Sequence, residues 1–148
     1  MNDPDFECKL DRLKQLSLEQ GLRLTHQRLE ILRELAAAMD HPSAEMIYKR
    51  VRVRMPTLSL DTVYRTLWTF ERLGLAFRVP ALGEQGRFDG DLSPHHHFVC
   101  DACSEIIDFT WDAFENIALP GTEAALGRID RKQVVLRGLC GKCVPQAA

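Results

Sequence analysis

Four of the five cysteines stand in two Cys-x-x-Cys pairs, Cys100 with Cys103 and Cys140 with Cys143, with 36 residues between the pairs. A two-residue spacer lets both thiolates of a knuckle point at one cation. Two knuckles then complete a tetrahedral four-thiolate shell, which zinc accepts without redox chemistry. A thioredoxin-like redox pair is the rival, but it needs a Cys-x-x-Cys that opens a helix after a strand in a βαβ setting. Here the first pair falls between two short strand candidates, 98–100 and 105–109, and the spacing predicts a structural Zn(II). Cys8 stands apart on a predicted helix and reads as an ordinary side chain.

Just upstream, the stretch SPHHHFVCDAC, Ser93 to Cys103, places three histidines in a row. Alternate residues of a strand share a face, so His95 and His97 can chelate one ion while His96 points away. If the Cys100 to Cys103 turn joins two strands as a hairpin, register counting sets Asp108 opposite His95 and adds a carboxylate. Asp89 lies upstream in a predicted hinge, and His41 sits at a break between two helices. Imidazoles with carboxylates form a mixed N/O donor set, harder than the thiolate one and suited to Fe(II), Mn(II) or Zn(II). A solvent-exposed polar turn beside the zinc knuckle is the competing reading at this stage. His26, in the first turn of a predicted helix, reads as a surface residue.

The elements that must position these groups follow from periodicity. Phe6, Leu10, Leu13 and Leu16 recur at helical spacing from Asp5 to Gln20, and Gly21 stops that helix. Thr25 caps a second helix, with Leu29, Leu32, Leu35 or Ala36, and Met39 as its apolar stripe down to the Asp40-His41-Pro42 break. Ser43 caps a third, with Ile47 and Val51 facing inward, which runs until Met55 meets Pro56. Ser59 caps a fourth, in which Val63, Leu67, Phe70 and Leu73 face a core and Thr62, Tyr64, Arg65, Trp68 and Arg72 face out. Leu75 to Pro80 and Arg87 to Asp89 read as two strands about a turn from Leu82 to Gly86. Helices followed by a small hairpin are the order of a winged helix-turn-helix domain.

The second half changes character: short strands flank the first knuckle, Trp111 to Leu126 predicts a helix, and Arg128 to Leu139 predicts another strand. An α+β unit of about 55 residues is small enough to need a metal staple or a partner chain. The fold class is therefore α+β, an N-terminal winged helix-turn-helix domain followed by a small α/β domain with a four-cysteine zinc staple. The predicted division is 1–82, a hinge over 83–94, and 95–148.

The 148 residues carry a formal charge of −2, split unevenly as 13 Lys/Arg against 11 Asp/Glu in 1–80 and 6 against 10 in 81–148. A mildly basic front half is compatible with a DNA-facing domain. No apolar run approaches the ~20 residues of a membrane helix. The N-terminus, MNDPDFECKL, lacks the order of a secretory signal, so the expected location is cytoplasmic.

The ordered motifs GLRLTHQRLEIL, HPSAEMIY, SLDTVYRTLWTFERLGL, GRFD, HHHFVCDACSEIIDF and CGKC together resemble the ferric uptake regulator (Fur) family, over about 120 residues from Gly21 to Cys143. The resemblance implies a metal-dependent, homodimeric transcription repressor with a C-terminal dimerisation domain, bound to double-stranded DNA at a palindromic operator. It implies no membrane, no enzymatic turnover, and no small molecule other than peroxide as signal. His41, Asp89, His95, His97 and Asp108 fall on the positions that bind the regulatory Fe(II) or Mn(II) in the peroxide-sensing branch (PerR). Iron-sensing members usually hold glutamate where Asp89 and Asp108 stand. A further site in those members uses a histidine, an aspartate and a late histidine, where this chain has Pro94, His96 and no histidine after His97. The departure favours a peroxide sensor over an iron-responsive repressor.

In such a sensor, peroxide reacts at Fe(II) and oxidises a ligand imidazole, His41 or His95 by family precedent. Tyr64 and Arg65 match the family's recognition positions, with Ser59 and Thr62 nearby and Arg23 as a phosphate or minor-groove contact. Two other classes remain open on the residues alone. One is a mononuclear metalloenzyme using the His/Asp set as a facial triad; the other is a zinc-stapled adaptor without regulation.

Overall fold

The computed structural model describes residues 4–79, 86–121 and 123–146, which fall into two compact units, Met1–Leu92 and Ser93–Ala148. The first unit opens with α1 (Pro4–Glu19), α2 (His26–Ala37), α3 (Ala44–Val51) and α4 (Leu60–Arg72). Three of these helices start on the caps their sequences announce. Thr25 Oγ1 accepts the Arg28 N–H, Ser43 Oγ the Met46 N–H, and Ser59 Oγ the Thr62 N–H at 3.1 Å. α4 ends at Gly74, whose φ of 76° lies in the left-handed region, and the Leu75 N–H closes the helix on the Phe70 carbonyl.

The inward stripes meet in one core built on Leu13, Ile31, Leu32, Leu35, Ile47, Val63, Leu67 and Phe70. The stripe expected for α2 stops short of Met39, which lies beyond the helix and is 90% exposed. α3 also ends earlier than expected, at Val51, with turns carrying the chain to Pro56.

A two-stranded antiparallel wing, β1 (Phe77–Val79) with β2 (Arg87–Asp89), completes the winged helix-turn-helix, with Phe77 opposite Asp89. The turn expected over 82–86 lies, apart from Gly86, outside the described residues. β2 is tied to the α2–α3 loop by a bridge between Ser43 and Arg87 and by the Phe88 N–H donating to the Pro42 carbonyl at 2.9 Å. A Cβ at Gly90 would lie 2.9 Å from Leu35 Cγ and 3.2 Å from its carbonyl oxygen, so the chain leaving Asp89 crosses α2 only as glycine.

The second unit holds a three-stranded sheet in the order β4-β3-β5, from β3 (His96–Cys100), β4 (Ile106–Phe109) and β5 (Val135–Gly138). β3 runs antiparallel to β4 and parallel to β5. Three sequence expectations need correction here. The hairpin sets Asp108 opposite His97, not His95, because the turn takes in Ser104 in a left-handed conformation (φ 64°) and closes with Cys100 N–H on the Glu105 carbonyl, which shifts the register by two. The helix expected from Trp111 to Leu126 is two short pieces, α5 (Asp112–Glu115) and α6 (Glu123–Leu126). Pro120 and Gly121, the latter at φ 82°, interrupt it, since proline supplies no N–H and disfavours helix in the residue before it. The long strand expected from Arg128 to Leu139 pairs only over Val135–Gly138. A short 3-10 helix, Val144–Gln146, follows the second knuckle.

Candidate metal centres and nucleic-acid face

Cys100 ends β3, Cys103 lies in the hairpin turn, and Cys140 and Cys143 follow β5, the strand parallel to β3. Parallel pairing of Cys100 with Gly138 brings the second knuckle beside the first. All four sulfurs lie within 4.8 Å of one another, and Cys103 Sγ is 3.8 Å from Cys140 Sγ. A tetrahedron with Zn–S bonds of about 2.3 Å has edges of about 3.8 Å, so the donor set fits Zn(II) in type, number and spacing. Main-chain N–H groups of Cys103 and Cys140 point at Cys100 and hold its thiol down to about 6. The other thiols crowding Cys143, Cys140 first, push it up to about 12.

At the start of β3, His95, which immediately precedes the strand, and His97 bring their Nε2 atoms to 3.1 Å. Asp108 Oδ1 lies 3.4 Å from His97 Nε2 and 4.0 Å from His95 Nε2. Donors about 2.1 Å from a cation stand about 3 to 4 Å apart, so this trio fits a mixed N/O ion. His95 Nδ1 sits 2.7 Å from the Ser93 carbonyl, which can only accept, so the ring's proton is on Nδ1 and Nε2 offers its lone pair. Gln133 lies 3.0 Å from His97 Nδ1 and, as an amide that can present either its O or its N, can serve either tautomer of that ring.

His96 points the other way. Its ring packs between Phe109 and Phe114, its Nδ1 accepts the Val134 N–H at 3.1 Å, and its Nε2 donates to Glu115 Oε1 at 2.7 Å. A side chain with both nitrogens so engaged, 1% exposed, is an anchor of this unit's small core.

The first unit carries a second pairing of imidazole and carboxylate. His41 Nε2 lies 3.4 Å from Asp89 Oδ2, and both residues are buried. Asp89 Oδ1 accepts the Asp91 N–H at 2.8 Å, which turns Oδ2 toward the histidine. His41 adopts φ 50°, a left-handed conformation that histidine tolerates better than most residues. The Arg87 guanidinium donates to the carbonyls of both His41 and Asp40, and Arg50 grips the Asp40 carboxylate through two contacts, at 3.2 and 2.5 Å. The Arg50 hydrogen bonds hold the Asp40 carboxyl below its ordinary range. Sequence reasoning missed Arg87, Gln133 and Glu115 as supporting residues. All three act across 19 to 46 positions, and spacing carries no signal at that range.

On the outer side of α4, Arg65 is exposed and paired with Asp61 at 2.9 Å, an interaction solvent makes weak and easily exchanged. Trp68 is 57% exposed, and its ring lies 6.3 Å from that of Tyr64, which is half-buried against the core edge. Ser59 and Thr62 hydrogen-bond one another at 2.8 Å at the start of α4, so Ser59 is occupied as a cap. Arg23 is exposed, and its carbonyl accepts from Arg28 at 2.9 Å.

The family model of the ferric uptake regulators matches residues 19–125. The peroxide operon regulator of Bacillus subtilis is 31% identical over 125 residues, covering 84% of this chain and 86% of that protein. The structure of the ferric uptake regulator from Pseudomonas aeruginosa with manganese is 30% identical, with a TM-score of 0.69 over 84% of this chain and 95% of that one. PerR from Streptococcus pyogenes, in a structure addressing peroxide sensing and gene regulation, is 26% identical, with a TM-score of 0.53 over 91% and 92%. The metalloenzyme alternative lapses with these matches: the chain belongs to the ferric uptake regulator family and is a metal-responsive transcription regulator, not an enzyme.

Proposed function

We propose that this chain is a homodimeric, metal-dependent repressor that releases a palindromic operator when peroxide oxidises a ligand histidine. In this reading a structural Zn(II) sits among Cys100, Cys103, Cys140 and Cys143, and one Fe(II) or Mn(II) is held by His41, Asp89, His95, His97 and Asp108. The observation that carries it is the distribution of donors: a His41–Asp89 pair at 3.4 Å belongs to the winged-helix unit, and a His95–His97–Asp108 trio belongs to the sheet unit. An ion that needs both sets ties the winged helix to the dimerising unit, and metal occupancy sets the spacing of two recognition helices.

Arg65 and Tyr64 of α4 would read bases, and Arg23, Thr62 and Ser59 would contact the backbone or groove edge. Ile107, Trp111, Ile117 and Leu136 of the sheet unit are each more than 40% exposed, which supports burial against a second copy. Among the described residues no helix is long and apolar enough to cross a membrane, and the working location of a DNA-binding regulator is the cytoplasm.

Bound Fe(II) supplies redox chemistry toward peroxide that Mn(II) does not. In the overall reaction one oxygen atom of peroxide ends on the imidazole of His41 or His95 and the other leaves as water. This chain's residues orient the rings: Arg87 and Arg50 hold the His41 loop, and the Ser93 carbonyl sets the tautomer of His95. Aspartates at 89 and 108 match the peroxide-sensing branch, and the relative from Bacillus subtilis is named for a peroxide operon.

The test is DNA binding by the zinc-stapled protein loaded with Fe(II) or Mn(II), before and after dilute peroxide. Loss of binding with Fe(II) alone, together with a one-oxygen mass gain on a peptide containing His41 or His95, is expected. Binding that survives peroxide in the Fe(II) form overturns peroxide sensing and leaves an iron-responsive repressor.

A further inference from the structure

Between the first turn of α2 and the middle of α4 lies an open cleft of about 330 Å³, lined by Thr25, Gln27, Arg28, Thr62, Arg65, Thr66 and Thr69. Every lining side chain is a hydroxyl, an amide or a guanidinium; no carboxylate and no aliphatic side chain takes part. A cleft of that chemistry does not select an apolar ligand or a metal ion. It offers donors and positive charge to an anion.

Two independent features aim it at one. α2 begins here, so its first N–H groups are unpartnered within the helix and its dipole is positive; no acidic residue stands in its first turn. Thr66 is the second. It is 4% exposed, it opens on the cleft, and its hydroxyl makes no hydrogen bond among the described residues. Its neighbours are occupied: Thr69 Oγ1 donates to the Arg65 carbonyl at 2.9 Å, and Thr25 Oγ1 accepts the Arg28 N–H at 3.3 Å. A hydroxyl that has no protein partner among the described residues and opens only on the cleft is left to bond whatever enters it. Arg28 is steadied over the same turn by donating one N–H to the Arg23 carbonyl, which leaves its other donors for a ligand.

We propose that this cleft seats one phosphate of the DNA backbone, gripped by Arg28, the Thr66 hydroxyl and the uncapped N–H groups that open α2 ahead of Arg28. The inference rests on the DNA-binding reading above and extends it. The cleft fixes how deeply and at what angle α4 enters the groove, without reading sequence.

The test uses full-length, metal-loaded protein with two duplexes of equal length, one selected by the wild type from a randomised pool and one scrambled. Thr66→Val keeps the branched shape and removes only the hydroxyl. It should weaken both duplexes by a similar factor, about tenfold, with unchanged base preference. Arg28→Gln should do the same and lower the slope of log K against log salt by about one. Replacing single phosphates by neutral methylphosphonates should reveal one position that costs the wild type more affinity than it costs either variant. Unchanged affinity in both variants, a changed base preference, or equal sensitivity of variant and wild type at every phosphate overturns the cleft alone. A metal-loaded wild type that binds neither duplex overturns the DNA-binding reading with it.

Discussion

Arg87 donates from its guanidinium to the main-chain carbonyl of His41, 46 positions away, from the same strand that carries Asp89. One strand thus supplies the carboxylate of the His41–Asp89 pair and also holds the backbone turn that presents the histidine. With His41 at φ 50°, the turn is an uncommon backbone conformation, and the Arg87 contact helps to hold it. Arg87→Met should lower Mn(II) affinity about tenfold, the usual scale for losing a residue that orients a ligand, and leave zinc content unchanged. Arg87→Lys should recover part of the loss. Mn(II) titration followed by equilibrium dialysis checks this, and an unaltered affinity in Arg87→Met would dismiss the positioning role.

His95 and His96 are neighbours with opposite work, and single substitutions should separate them. His95→Ala removes a donor at the N/O trio and should abolish tight Mn(II) binding while the metal-free melting temperature hardly moves. His96→Ala removes the hydrogen bonds to Glu115 and Val134 and opens space between Phe109 and Phe114. It should destabilise the sheet unit by about 2 to 4 kcal/mol. A stable His96→Ala protein that has lost its metal would reverse the assignment.

Removing zinc should unfold one unit before the other. Among the described residues the sheet unit has few buried apolar side chains of its own, Val99 and Ile106 with Cys100 and Cys140, whereas the core cluster of the helical unit has 16 buried members. Trp111 reports on the first and Trp68 on the second, so Trp68→Phe and Trp111→Phe proteins isolate each signal. A strong zinc chelator should bring a separate, lower transition in Trp111 emission only. A single coincident transition for both tryptophans would contradict this.

Zinc uptake should release protons and tighten as pH rises. Cys143 is raised by the other thiols, Cys140 first, and Cys103 is raised because Cys100, burial and Cys140 outweigh the Glu105 main-chain hydrogen bond that pulls it down; both must lose protons to bind. Cys100, at about 6, is largely a thiolate at neutral pH and contributes little to that release. Zinc takes the thiolate, so the Cys100 share of the affinity is nearly independent of pH above about 6 and is lost as pH falls through that value. Calorimetry in buffers of different ionisation enthalpy measures the proton count at pH 7. Zinc binding with no proton release would refute the assignment.

The helix starts and the zinc knuckles were legible because each is a local signal: Thr25, Ser43 and Ser59 cap within three residues, and each Cys-x-x-Cys pair spans four. Strand alternation likewise separated His96 from His95 and His97. Expectations failed where a distant or competing local term decided. The turn at Ser104 moved Asp108 opposite His97, and Pro120 with Gly121 broke a helix that composition alone allowed.

The sequence by itself determined which residues could serve as ligands, because donor type and short-range spacing are written along the chain. Only the tertiary structure decided how those ligands are aimed. The Arg87 guanidinium on the His41 turn, the Ser93 carbonyl on His95, the pocket around His96 and the polar cleft beneath Thr66 all arise from folding. Except for the Ser93 contact, each joins elements far apart in sequence, and the geometry of such contacts is set by packing and register rather than by periodicity.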